Sequence, residues 1–167
     1  MDFPLRQKTR MRRAWGIAAW IAVTVIIAGC DSSRQADAEA RAAMSAAIRA
    51  EQPGNYFIGR RMYKNDYKMW GWVREPRKPW KTAQLVMFNE QRTLAPDRAR
   101  EDLGSDNNHE YRLKGRFSGE TVYEPASNRF YPEFVLESYE LINTSPANIY
   151  QQRRQLDPSV RLLQQPL

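Results

Sequence analysis

His109-Glu110-Tyr111-Arg112-Leu113-Lys114-Gly115-Arg116-Phe117 alternates without a break. Tyr111, Leu113, Gly115 and Phe117 fall on one side of an extended chain, and Glu110, Arg112, Lys114 and Arg116 on the other. Side chains of a strand point alternately to its two faces, so this stretch predicts an antiparallel strand with one face in a core and one in water. Ser118-Gly119-Glu120-Thr121 reads as the turn that ends it, Val122-Tyr123-Glu124 as a short extended piece, and Pro125 to Arg129 as a loop. A last strand is predicted over Phe130 to Ile142, centred on Phe134-Val135-Leu136 and Tyr139-Glu140-Leu141-Ile142.

Upstream, Phe57-Ile58-Gly59 opens a strand, and Tyr67 to Arg74 reads as a stronger one. Alternation there puts Tyr67, Met69, Gly71 and Val73 on one side and Lys68, Trp70, Trp72 and Arg74 on the other. Two prolines make Glu75 to Pro79 a loop, because proline cannot donate to a sheet ladder. Thr82 to Asn89 carries apolar side chains on both faces, which predicts a central strand covered on both sides. Pro96-Asp97 starts a short helix with Asp97 as its cap, and Gly104 to Asn108 is a loop by composition.

About five short strands, with Gly71 and Gly115 inside two of them, fill residues 55–142. A glycine within a strand marks a bend or bulge. The prediction is a mainly β domain: a small antiparallel five-stranded barrel, similar in pattern to the OB-fold, or a sandwich of the same strands. Ahead of it, residues 30–54 form a spacer. The Ala-rich stretch from Ala36 to Glu51 is helical by propensity, about 24 Å long at 1.5 Å per residue, and Pro53-Gly54 stops it. Behind it, residues 143–167 are Gln-rich and polar and predict a poorly ordered tail with a short helix around Ile149 to Leu156.

Residues 1–29 are of a different kind. Arg6, Lys8, Arg10, Arg12 and Arg13 face a single Asp2, and residues 14–29 carry no charge. A basic start, an apolar run and small residues before a cut site form a secretory leader. Ile27-Ala28-Gly29-Cys30 resembles the lipobox of bacterial lipoproteins. The resemblance implies a signal peptide over 1–29, a diacylglycerol on the Cys30 thiol, palmitate-type acylation of the new amine, and attachment to the cell membrane on the extracytoplasmic, periplasmic side. Asp31 resembles the residue that retains such proteins at the inner membrane, with the outer membrane as the alternative. The 17 residues from Ala14 to Cys30 equally suit an uncleaved single span, at the short end of the roughly 17–25 that cross a bilayer. A released protein with a chance cysteine is the third reading.

The leader reshapes the charge. The whole chain has 26 basic and 19 acidic residues, a net of +7. Without the leader's five basic and one acidic residues, 21 remain against 18. That weakens nucleic acid as a partner, since a large basic excess is its electrostatic footprint. Cys30 is the only cysteine, so its lipidation leaves no thiol for a disulfide or a thiolate metal site.

Charge is concentrated in residues 56–81, which hold eight basic residues against Asp66 and Glu75 and are rich in aromatics. Arg60, Arg61, Lys68, Trp70, Trp72 and Arg74 form the candidate binding face. Aromatic rings interleaved with cations grip anionic polymers by stacking and charge pairing. The competing reading buries the tryptophans and leaves the cations as a solvated face. If Trp70 and Trp72 share a face with Lys68 and Arg74, at least one is half exposed. His109 stands alone, and one histidine makes no zinc site. Glu133 and Glu137 are isolated carboxylates. No catalytic constellation is visible and no cofactor is implied. The expectation is a tethered, non-enzymatic domain binding an envelope protein or anionic glycan. An envelope enzyme acting on a glycan or lipid is the alternative.

Overall fold

The computed structural model describes residues 34–167. The leader, Cys30 and Asp31 lie outside the described residues. The chain divides into two units, residues 1–43 and 44–167. In the first, residues 34–43 are helical and exposed; the second opens on helical residues 44–50. Among the described residues no helix is long and apolar enough to cross a membrane.

Five strands follow: β1 (Phe57–Arg61), β2 (Gly71–Arg74), β3 (Gln84–Asn89), β4 (Glu110–Glu124) and β5 (Arg129–Asn143). They close into a barrel in the order β1-β2-β3-β5-β4. Closure rules out the sandwich. The barrel is also not wholly antiparallel. β3 and β5 run parallel, with Phe88 opposite Phe134, while the other four pairs are antiparallel. The segment after β3 crosses to β4, and the β4–β5 hairpin then returns β5 alongside β3 in the same direction.

β4 and β5 are 15 residues each, longer than foreseen. At about 3.3 Å per residue each spans roughly 50 Å, too long to stay straight around a small barrel. Register shifts at Lys114/Gly115 and Phe117/Thr121 bend the pair. The second of these is the stretch read as a turn; the strand passes through it as a bulge and continues. Gly115 is needed at the first, because a Cβ there would sit 2.2 Å from the Val135 carbonyl oxygen.

Two cores result. Inside the barrel, Val73, Val86, Leu113, Phe134 and Leu136 pack around Trp70 and Tyr111. Outside, Ile58, Trp72 and Leu85 face away from the barrel and are covered by Trp80, Tyr131, Ile149 and Tyr150, with Met44 and Ile48 alongside. β3 therefore contributes Val86 to one core and Leu85 to the other, the double covering expected of its apolar run.

The outer core overturns the loose C-terminal tail. Ile149, Tyr150 and Gln155 are fully buried. Gln155, in a 3-10 turn over Arg153–Leu156, exchanges hydrogen bonds with the Gln164 backbone in both directions, and the Leu167 amide donates to the Ile149 carbonyl. Composition hid this. The tail has few apolar residues, yet Ile149 and Tyr150 land on the apolar outer barrel face beside Trp80 and Tyr131, and its glutamines serve as backbone clamps.

Candidate functional site

The predicted basic, aromatic face is not a surface. Five of its six residues are buried: Arg60, Arg61, Trp70, Trp72 and Arg74. Only Lys68 is exposed. Strand register explains most of this. Arg60 pairs with Trp72, and Arg74 with Ile58, so all four point outward into the layer that covers the barrel. Arg60 donates to Glu110 at 2.5 Å and to the Ala147 carbonyl at 3.0 Å. Arg74 is bound by both carboxylate oxygens of Glu51. Both guanidiniums lie over the Trp80 ring, at 5.1 and 4.6 Å from its centroid. Burial holds Arg60 below its ordinary pKa despite the pull of Glu110.

Trp70 and Trp72 do not share a face, and neither is half exposed; they are 2% and 5% accessible. The Trp70 amide donates to the carbonyl of Val86, the residue that Gly71 also pairs with. Two consecutive residues thus oppose one, and the alternation resets. Trp70 enters the barrel, its benzo edge against Gly59, while Trp72 joins the outer core. Gly71 permits the arrangement, since a Cβ there would meet the Arg60 carbonyl oxygen at 2.2 Å.

Arg61 ends β1 and closes that end of the barrel. It donates to Asp97 at 2.7 Å, to Asp106 at 3.1 Å, to the Met69 carbonyl at 3.1 Å and to the Trp70 carbonyl. Tyr111 donates its hydroxyl to the second oxygen of Asp106. Asp97 is not the helix cap expected. The cap of the short helix Pro96–Ala99 is Ala95, and Asp97 turns inward to Arg61 while accepting the Gly104 and Arg98 amides. Burial pushes the Asp97 carboxyl up, but Arg61 and those amides hold it below the usual range. For Asp106 burial outweighs Arg61, and its carboxyl is raised.

Around this bolt lies a cleft of about 550 Å³. One wall is the β1–β2 loop with Tyr63, Tyr67 and Lys68; the other is Arg98 and Leu103 from the segment after β3. Its floor is apolar. Trp70 and Phe88 stack at 4.3 Å with planes 13° apart, flanked by Met69 and Met87. Leu103 is 63% exposed at the rim. Most charges in the lining are already engaged. Asp97 faces Arg61, Glu90 faces Arg98 at 3.3 Å, and Lys64 donates to the Gln155 and Asp157 carbonyls. Lys68 has no carboxylate partner among the described residues.

The tip of the β4–β5 hairpin is organised by Glu124. The buried Glu124 carboxylate accepts the Ala126 and Ser127 amides, and hydrogen bonding there holds it below its ordinary pKa against the effect of burial. Tyr131 is buried, whereas Phe130 and Tyr123 stand exposed on the other side of the tip, their rings 5.2 Å apart.

The residues weighed for catalysis are scattered. Glu133 accepts from Asn89, Glu137 faces Arg92 and Arg116, and His109 lies beside Tyr111. Among the described residues no group of three His, Cys, Asp or Glu side chains is placed to hold a metal ion. Sequence reasoning missed Asp97 and Asp106 as partners of Arg61, and Phe88 and Leu103 as cleft residues. The charged triplet spans 45 positions and left no local pattern; Leu103 was hidden in a polar loop.

Compared with protein-family models, curated proteins and solved structures, the chain matches none.

Proposed function

We propose that this chain is a membrane-tethered binding protein: a lipoprotein held by acyl chains on Cys30 at the extracytoplasmic face, whose barrel captures an envelope partner in the cleft between the β1–β2 loop and the segment after β3. The leader and Ile27-Ala28-Gly29-Cys30 support the tether, and Asp31 favours the inner membrane. A single acyl chain binds a bilayer marginally, whereas two or three hold firmly.

The barrel is read as OB-type. The strand order, the parallel β3–β5 pair and the short helix between β3 and β4 support that reading. OB barrels bind ligands on the face of strands 2 and 3 and on the neighbouring loops. The observation that carries the binding role is the cleft, about 550 Å³ with an aromatic floor, within the range of roughly 300–1,000 Å³ typical of ligand sites. The binding surface is thereby moved from the six-residue face, five of whose members are buried, to a site that keeps Arg61, Lys68 and Trp70 of it.

The tether is tested by mass spectrometry of the mature N-terminus. A lipidated Cys30 as first residue is expected, and an unmodified Cys30 still joined to Gly29 defeats it. The cleft is tested by placing a photocrosslinking residue at Leu103 in the native membrane, with the same residue at exposed Ser138 as control. A specific adduct from position 103 alone is expected; identical adducts from both positions refute the assignment.

A further inference from the structure

We infer that the cleft takes an anionic amphiphile: an apolar chain or ring laid along the Trp70–Phe88 stack, with a carboxylate or phosphate at the Lys68 edge. This rests on the cleft being the binding site, and it adds the chemical class of the ligand.

Two features decide the class. The first is the floor. Trp70, Phe88, Met69 and Met87 present rings and thioethers, which suit an apolar body and adapt to its shape. Leu103 extends that surface to the rim, where it is 63% exposed. The benzo edge of Trp70 is lodged in the barrel against Gly59, and the side chain also lines the cleft. Its Nε1–H is buried and has no acceptor in the protein. An indole this close to the floor reports any occupant.

The second is the balance of charge. Asp97 shares Arg61 with Asp106, and Glu90 faces Arg98, so three carboxylates stand against two arginines and two lysines, a net of +1. Of the two lysines, Lys64 is buried and committed to two carbonyls. Lys68 is exposed and has no carboxylate partner among the described residues. The unmatched charge at the cleft is therefore positive and sits at the edge of an apolar floor. A neutral apolar ligand leaves Lys68 unused. A cationic one meets like charge. An anionic polymer with no apolar part leaves the floor and Leu103 unused. A fatty acid, an acyl-phospholipid or an acyl-bearing carboxylate offers the same two groups; they differ only in the anionic head.

The test uses the full chain in lipid nanodiscs, with six-carbon probes that stay in water. The readout is the Trp70 indole N–H resonance, assigned by Trp70→Phe. Hexanoate is expected to shift it saturably, hexanol at least ten-fold more weakly, and hexylammonium and acetate not at all. Hexyl phosphate against hexanoate separates a phosphate head from a carboxylate head. Lys68→Glu is expected to lower hexanoate affinity at least ten-fold while leaving hexanol unchanged, and Leu103→Asp to weaken both. No saturable shift with hexanoate or hexyl phosphate, equal binding of hexanol, or indifference to Lys68→Glu overturns the inference. If the probes fail while the Leu103 crosslink stays specific, the ligand class is wrong and the site stands; if both fail, the cleft is not the binding site.

Discussion

Arg61→Met is the sharpest probe of how this barrel is closed. Arg61 is buried and donates to two carboxylates after β3 and to the adjacent Met69 and Trp70 carbonyls before β2. Methionine keeps the apolar stem but strands Asp97 and Asp106, both fully buried. Removing one partner of a buried pair costs about 3–5 kcal/mol, because the other charge is left uncompensated. The Met69 and Trp70 carbonyls also lose donors, at roughly 1–3 kcal/mol for a group left unsatisfied, partly offset by relaxation. A loss of about 4 kcal/mol at pH 7 is expected, a large share of the roughly 5–15 kcal/mol that keeps a domain folded. The loss has a pH signature. Without the guanidinium, both carboxyls are buried without a counter-charge, so their folded pKa values rise above the unfolded value of about 3.9. A carboxyl raised in this way gives stability that is present below the unfolded value and disappears as pH rises through the folded one. The variant should therefore lie closer to wild type at pH 4.5 than at pH 7. Urea denaturation followed by tryptophan fluorescence at both values measures this. A loss under about 1 kcal/mol, the range of an exposed pair, would refute the reasoning, as would a loss that grows toward low pH.

Two further outcomes follow from the same geometry. Asp106→Asn should be mild or stabilising at pH 7 and unfavourable at acid pH, because the raised Asp106 carboxyl opposes folding above about pH 3.9; Asp97→Asn, whose carboxyl is held low, should instead cost most at neutral pH, and thermal melts across pH separate the two. Ile149→Ala should destabilise the barrel by about 2–5 kcal/mol, as for any buried aliphatic residue cut to alanine, whereas a tail that merely trails would leave the urea midpoint unchanged.

Legibility followed the range of the interaction. Alternation in residues 109–117 identified β4, and the two-faced apolar run identified β3, because both patterns reside within one strand. The bulge at Trp70 did not show, and it moved Trp70 from the face of Trp72 into the barrel interior. One extra residue inverts every inference drawn from period two beyond it. The basic cluster at 56–81 was visible as composition, but its meaning was reversed. Arg60, Arg61 and Arg74 meet carboxylates at Glu110, Asp97, Asp106 and Glu51, positions 23 to 50 residues away that only folding brings close. The cleft inherits Arg61, Lys68 and Trp70 from the face first proposed, and Arg61 is already engaged by its carboxylates.

By itself the sequence determined a mainly β domain of about five strands, with glycines where strands must bend. These follow from side-chain period and backbone sterics, which act between near neighbours. Tertiary structure decided the rest. It closed the barrel with β3 parallel to β5, laid the C-terminal segment over an outer core, and turned a row of arginines into internal struts. Those outcomes depend on which distant groups share one buried space, where an unpaired charge is too costly to remain.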